Sequence, residues 1–170
     1  KKDSAFSDVV RFASDILFGI PSIVYGAFAF MVMIYFGLQA SLLGGIIAVS
    51  LLIIPIMTRS IDEVAGSVSQ DLIEATKALG ATRYETLKVI VRQLSPGITT
   101  AILLSVGRGI GDAATVLFTA GYTDGIPVSP LQPAATLPLA IFFQLSSPIE
   151  EVQNRAYAAA LILTIIILLL

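Results

Sequence analysis

Apolar residues run in long stretches along this chain, and the polar positions between them cut it into elements. Residues 20–38 and 41–57 carry no charge, and each is long enough as a helix to cross a hydrocarbon layer about 30 Å thick. Only residues 37–40 separate them, so the pattern predicts a helical hairpin. Residues 58–92 are polar. Residues 96–120 form a third apolar run interrupted by Arg108 and Asp112. Residues 121–133 hold Gly121, Asp124-Gly125, Pro127, Pro130 and Pro133, which is turn chemistry. Residues 134–145 are apolar but too short to cross, and Pro138 near their start suggests a short re-entrant helix. Residues 146–155 are polar, and 157–170 begin a fourth span. Before all of these, residues 4–18 place Phe6, Val9, Val10, Ala13, Ile16 and Leu17 at helical spacing with Asp8, Arg11 and Asp15 between them. That spacing predicts an amphipathic helix on the membrane surface with one wet face.

Composition agrees. The chain is 56% hydrophobic and 13% charged, against about 25% charged in a soluble domain, and its mean hydropathy is +0.90. The net charge of -2 gives no polybasic footprint for nucleic acid. With no His, Cys or Trp, a Cys/His zinc site, a Cys–His or Ser–His–Asp catalytic set and a disulfide framework are excluded. A membrane hydrolase would be left with Ser/Lys or carboxylate arrangements, and Lys occurs only in the polar segments. Residues 1–20 do not form a signal peptide, because charges break the apolar stretch and no cleavage site follows. The Lys-Lys-Asp start and the apolar end at Leu170 suggest part of a longer protein.

Basic residues set the expected orientation. With residues 58–92 cytoplasmic, that side carries Lys1, Lys2, Arg11, Arg59, Lys77, Arg83, Lys88 and Arg92, while the other keeps only Arg155. This satisfies the positive-inside rule and places the N-terminus in the cytoplasm.

The polar segment has its own grammar. Ser69 is placed to cap a helix, with Asp71 and Glu74 near its positive end. Leu72, Ile73, Thr76 and Leu79 fall on one expected face, and Gly80 sits where a left-handed residue ends a helix. Thr82 and Glu85 have capping-box spacing. Leu87, Ile90, Val91 and Leu94 make the next apolar face, and Pro96 fits the first turn of the following span. No Gly-x-x-x-x-Gly-Lys-Ser/Thr phosphate loop occurs. Energy for any transport must therefore come from a partner or an ion gradient.

Arg108 and Asp112 stand one turn apart on an expected helix, so both should point to one face. An unpaired charge at the bilayer centre costs roughly 2.5–3.5 kcal/mol. The pair is either a substrate path, in which Arg108 attracts an oxyanion and Asp112 tempers it, or an ion pair that locks helices together. Gly107, Gly109 and Gly111 allow close helix approach. The Gly-Arg-Gly-Ile-Gly run follows no strand and is no dinucleotide loop.

These motifs resemble those of permease subunits of type I ABC importers. Glu74-Ala75-Thr76, Gly80 and Ile90 follow the order of that family's EAA loop, and Leu94-Ser95-Pro96 takes the place of its Ile-x-Leu-Pro ending. Pro55, Arg59 and Glu63 resemble its lead-in. The resemblance implies an all-α, polytopic transmembrane bundle of the MetI-like kind, with about four spans here, a surface helix and a coupling helix. Residues 1–170 would be one permease domain, with 58–96 as the cytoplasmic EAA loop and 121–155 as the extracytoplasmic loop. It implies that Ser69, Asp71, Leu72, Glu74, Ala75, Thr76, Leu79 and Gly80 meet a separate ATPase dimer that binds the ATP and Mg. The chain itself would hold no cofactor and do no covalent chemistry.

A second set of matches is similar to the phosphate permeases of the family: Arg108-Gly109-Ile110-Gly111-Asp112-Ala113-Ala114 with Leu117-Phe118-Thr119-Ala120, Gly19-Ile20-Pro21-Ser22-Ile23-Val24, Gln132-Pro133, Leu137-Pro138 and Ser147-Pro148. This implies phosphate as cargo, Arg108 and Asp112 in its translocation, and an inner-membrane location. The implied partners are membrane lipid, a second permease subunit and an external phosphate-binding protein. Asp112 stands where Glu is usual in that run. Sulfate or molybdate transport by the same kind of permease, or an ATP-independent channel, are the competing functions.

Overall fold

The computed structural model describes residues 5–170, and every regular element among them is a helix. In chain order they are α1 (Ala5–Phe18), α2 (Ser22–Tyr35), α3 (Leu42–Gly66), α4 (Gln70–Ala78), α5 (Arg83–Gly111), α6 (Leu137–Leu145) and α7 (Glu150–Leu169). Lys1, Lys2 and Ser4, and the side chain of Phe6, lie outside the described residues. Helices α3, α5 and α7 are long and apolar enough to cross a membrane, and α1 with α2 gives a fourth when counted as one broken span. The chain divides into two compact units. Among the described residues, one holds 5–18 and Pro55–Ser105, the other Gly19–Ile54 and Val106–Leu170.

In the first unit, α1 turns its polar side to the second half of α3. Arg11 meets Asp62 at 3.0 Å, and Arg59 meets Asp15 at 2.8 Å and Glu63 at 3.1 Å. Ser14 is buried, while Val9, Phe12 and Ile16 are exposed. The face expected to be wet is thus occupied by α3's charges, and the apolar face is left outward, as suits a helix lying in lipid. Gly97 lets α5 approach α3 closely, because a Cβ there would stand 2.8 Å from Val64 Cγ1.

Helix α5 differs from the expected pair of elements. It runs unbroken through Pro96, so the second helix of the polar segment and the third span are one. Proline removes one backbone donor and crowds the carbonyl four residues back, yet the helix continues there on an exposed stretch, and Thr100 Oγ1 donates to the Pro96 carbonyl at 3.0 Å. The same helix stops at Gly111 rather than Ala120. Three glycines in its last turns weaken it, and Asp112 starts a new turn.

In the second unit, Tyr25, Ala29 and Met33 of α2 and Ala48 and Leu52 of α3 are buried, as is a cluster of Val116, Ala120 and Leu139. Gly109 is buried against Ile53 and Val49 of α3, so the expected close approach is realised there. Helix α2 is shorter than its uncharged stretch, closing at Tyr35 before Gly37, whose φ is +68°. Helix α6 packs on α7, and α7 begins at Glu150, inside the segment read as polar, with both Glu150 and Glu151 at its positive end.

Candidate functional site

Two places carry the sequence-predicted residues, one in each unit. The first is the α4 segment. Ser69 Oγ accepts from the Leu72 N–H at 3.3 Å and opens the helix. At the other end Gly80 takes φ +81°. The Gly80 N–H donates to the Lys77 carbonyl at 2.9 Å and the Ala81 N–H to the Thr76 carbonyl at 3.1 Å, the paired bonds of a Schellman stop. Two residues later the capping box closes. The Thr82 N–H donates to Glu85 Oε2 at 2.8 Å, and the Glu85 N–H donates to Thr82 Oγ1 at 3.3 Å.

These local bonds fix which face is free. Thr76 is buried, with Leu72 and Ile73 half-buried. Leu79 leaves the face expected for it: as the C-cap it is 88% exposed, close in sequence to Tyr84 at 75%. Asp71, Glu74, Ala75 and Gly80 are also exposed. An exposed leucine at the end of a helix clamped on both sides, and an exposed tyrosine in the first turn of α5, leave apolar side chains at the surface.

The second place is the end of α5. Arg108 lies in its last turn, exposed on this chain, where a cation also complements the negative end of the helix. Asp112 does not share that helix. The chain leaves α5 after Gly111, and Asp112 Oδ2 accepts from the Thr115 N–H at 2.7 Å. The expected common helical face is therefore replaced by a helix end and a cap: Arg108 on the outgoing helix, Asp112 heading the next turn.

That turn is packed from several sides. Thr115 and Thr119 are 0% exposed. Thr115 Oγ1 donates to the Ser22 carbonyl of α2 at 3.2 Å, and Thr119 Oγ1 to the Thr115 carbonyl at 3.1 Å. Gly26 of α2 lies so close that a Cβ there would stand 2.6 Å from the Thr115 carbonyl oxygen. On the α3 side, a Cβ on Gly44 would stand 2.8 Å from the Thr119 carbonyl oxygen, and one on Gly45 2.9 Å from Ala120 Cβ. The first turn of α3 draws on the same region. The Ser41 N–H donates to the Thr119 carbonyl, Leu42 to Gln132 and Leu43 to Pro130, each at 2.8 Å, while Ser41 Oγ accepts from Gly44. The donors that a helix start leaves open are thus filled by the loop.

Sequence reasoning missed Thr115, Gly26 and Ser41, and it named Thr119 only as part of a matched run, without this role. The Asp112-x-x-Thr115 spacing carried a capping signal; the other three act through contacts distant in sequence. Among the described residues no group of three or more acidic side chains is placed to hold a metal ion.

Comparison with known proteins agrees with this architecture. Residues 1–170 match the family described as binding-protein-dependent transport system inner membrane component. The chain is 36% identical over 170 residues to the phosphate transport system permease protein PstA of Yersinia pestis, covering 99% of this chain and 58% of that protein. The PstA of Haemophilus influenzae is 34% identical over 168 residues, covering 98% of this chain and 60% of that protein. The PstA of Xylella fastidiosa strain Temecula1 is 37% identical over 168 residues, covering 98% and 58%. The chain thus spans about three-fifths of the length of the curated relatives it matches. No solved structure matches it.

Proposed function

The chain belongs to the family of binding-protein-dependent transport system inner membrane components, and on that premise we propose that it is the membrane-spanning permease subunit of an ATP-driven inorganic phosphate importer. The observation that carries the cargo is the similarity, over nearly the whole chain, to relatives named as phosphate permeases. The Arg108 guanidinium suits such a cargo, since its planar fork pairs with phosphate oxygens, and it stands exposed on this chain. Asp112 heads the turn that follows and belongs to the same path.

Energy enters through the α4 segment in this reading. Residues 58–96 face the cytoplasm, and the exposed face of α4 with Leu79 and Gly80 seats on an ATPase subunit that binds ATP and Mg. The double clamp supports this role, because a helix that passes a push from one protein to another must not fray. Residues 121–155 face outward toward a phosphate-binding protein, and a second permease subunit completes the path. The protein is a multi-pass component of the inner membrane and leaves ATP hydrolysis to its partner.

The test is radiolabelled phosphate uptake, with sulfate as competitor, in cells whose only such importer contains this permease in full length. Arg108→Gln is expected to abolish uptake while the complex still co-purifies. Undiminished phosphate uptake in that variant overturns the anion path. Competition by sulfate at equal concentration moves the cargo to another oxyanion.

A further inference from the structure

Asp112 was expected to act by its charge, yet one of its carboxylate oxygens bonds the backbone. Its Oδ2 lies 2.7 Å from the Thr115 N–H, three residues on, the relation of an N-cap to the third residue of a helical turn. Its own N–H reaches back to the Gly109 carbonyl at 3.3 Å. One residue therefore closes the last turn of α5 and opens the turn after it. Downstream, the Thr119 and Ala120 N–H groups both donate to the Val116 carbonyl, at 3.2 and 3.0 Å. Thr115 and Thr119, with no exposed surface, tie that turn to α2 and to the start of α3.

We propose that Asp112 is a positioning residue: by capping the 113–120 turn it fixes where α5 ends and so where the Arg108 side chain stands. The proposal rests on the reading of Arg108 as the anion contact. Position 112 then needs a short side chain with an acceptor oxygen more than it needs a negative charge. Asparagine meets that need; glutamate keeps the charge but carries an extra methylene and is not among the capping residues. A pure charge role demands the reverse order.

The experiment compares Asp112→Asn with Asp112→Glu in the full-length chain within the assembled transporter. Val116 is 4% exposed, and residues 1–170 contain no cysteine. Val116→Cys, with any cysteine elsewhere in the full chain removed, therefore reports opening of the turn to a membrane-permeant maleimide. Asp112→Glu is expected to raise the labelling rate about fivefold, the shift in equilibrium that losing one side-chain cap produces, and Asp112→Asn to raise it less. Hydrogen exchange of the 113–120 peptide reads the same bond without a cysteine and should give the same order. In phosphate uptake Asp112→Asn should retain more activity than Asp112→Glu, with the loss in Asp112→Glu falling on maximal rate together with KM because Arg108 is displaced. Protection that is equal in the two variants, or better in Asp112→Glu, overturns the cap. So does uptake retained by Asp112→Glu and lost by Asp112→Asn. Labelling and exchange use no phosphate, so they stand or fall apart from the cargo reading, which the Arg108→Gln uptake assay decides.

Discussion

The α4 segment and the turn after α5 both begin on a short polar side chain, Ser69 in one and Asp112 in the other, yet they are held in opposite ways. Around α4 every bond that defines the element lies within a few residues: Ser69 to Leu72, Ala81 to Thr76, Thr82 to Glu85. Its outer surface is open. The 113–120 turn has a local cap and a few bonds of its own, and unlike α4 it is also held by α2 and by the start of α3. Its two central threonines are fully buried. A helix held by its own sequence keeps its shape while presenting a face to another protein. A turn held by its neighbours reports their positions, which suits the role proposed for it beside a translocation path.

The largest effect that separates the two comes from Gly26→Val. Its Cβ would stand 2.6 Å from the Thr115 carbonyl oxygen and 2.9 Å from that of Ala114, and main chain cannot turn aside as a flexible side chain can. Overpacking of this kind costs about 1–3 kcal/mol, with the upper end expected here. Thermal unfolding of the assembled transporter in detergent checks it; a variant as stable as the parent would mean that α2 does not hold the turn. Gly80→Val comes next. A left-handed conformation costs a residue with a side chain about 1–2 kcal/mol, and nothing lies within 4 Å of the added Cβ. The damage should therefore be confined to the Schellman stop. Membrane insertion should stay intact while phosphate uptake falls relative to ATP hydrolysis, and matched losses of both activities would break the coupling role. The smallest effect is Thr82→Ala, a lost cap of about 1 kcal/mol. Hydrogen exchange at the Glu85 amide should quicken, with no change in the 113–120 peptide; a change there would show that the two regions are not independently held.

The same contrast explains what could be read from the sequence. The start at Ser69, the stop at Gly80 and the capping box at Thr82 are patterns of spacing, and the structure reproduces each of them. Leu79 was misplaced because helical periodicity assumes that the helix continues, whereas the C-cap swings its side chain outward. The end of α5 was misplaced for a related reason. Hydropathy runs on through Val116, Leu117 and Phe118, but glycines and a capping aspartate stop the helix at Gly111. The wet face of α1 was legible as a face but not as a set of ion pairs with Arg59 and Asp62, because the pairing partner lies on α3. Nothing in the local pattern at Gly26 or Ser41 names the carbonyl oxygen that approaches it.

The first turn of α3 bears on how such a chain is built into a bilayer. Its opening N–H groups are satisfied by the carbonyls of Thr119, Pro130 and Gln132, residues that leave the ribosome long after α3 itself. During synthesis the α2–α3 hairpin must wait with those donors unpaired, and a bilayer interior offers them nothing. Water at the membrane boundary has to hold them until the later loop arrives. An apex with such donors is best served at the interface, where water can satisfy them until the later loop is made.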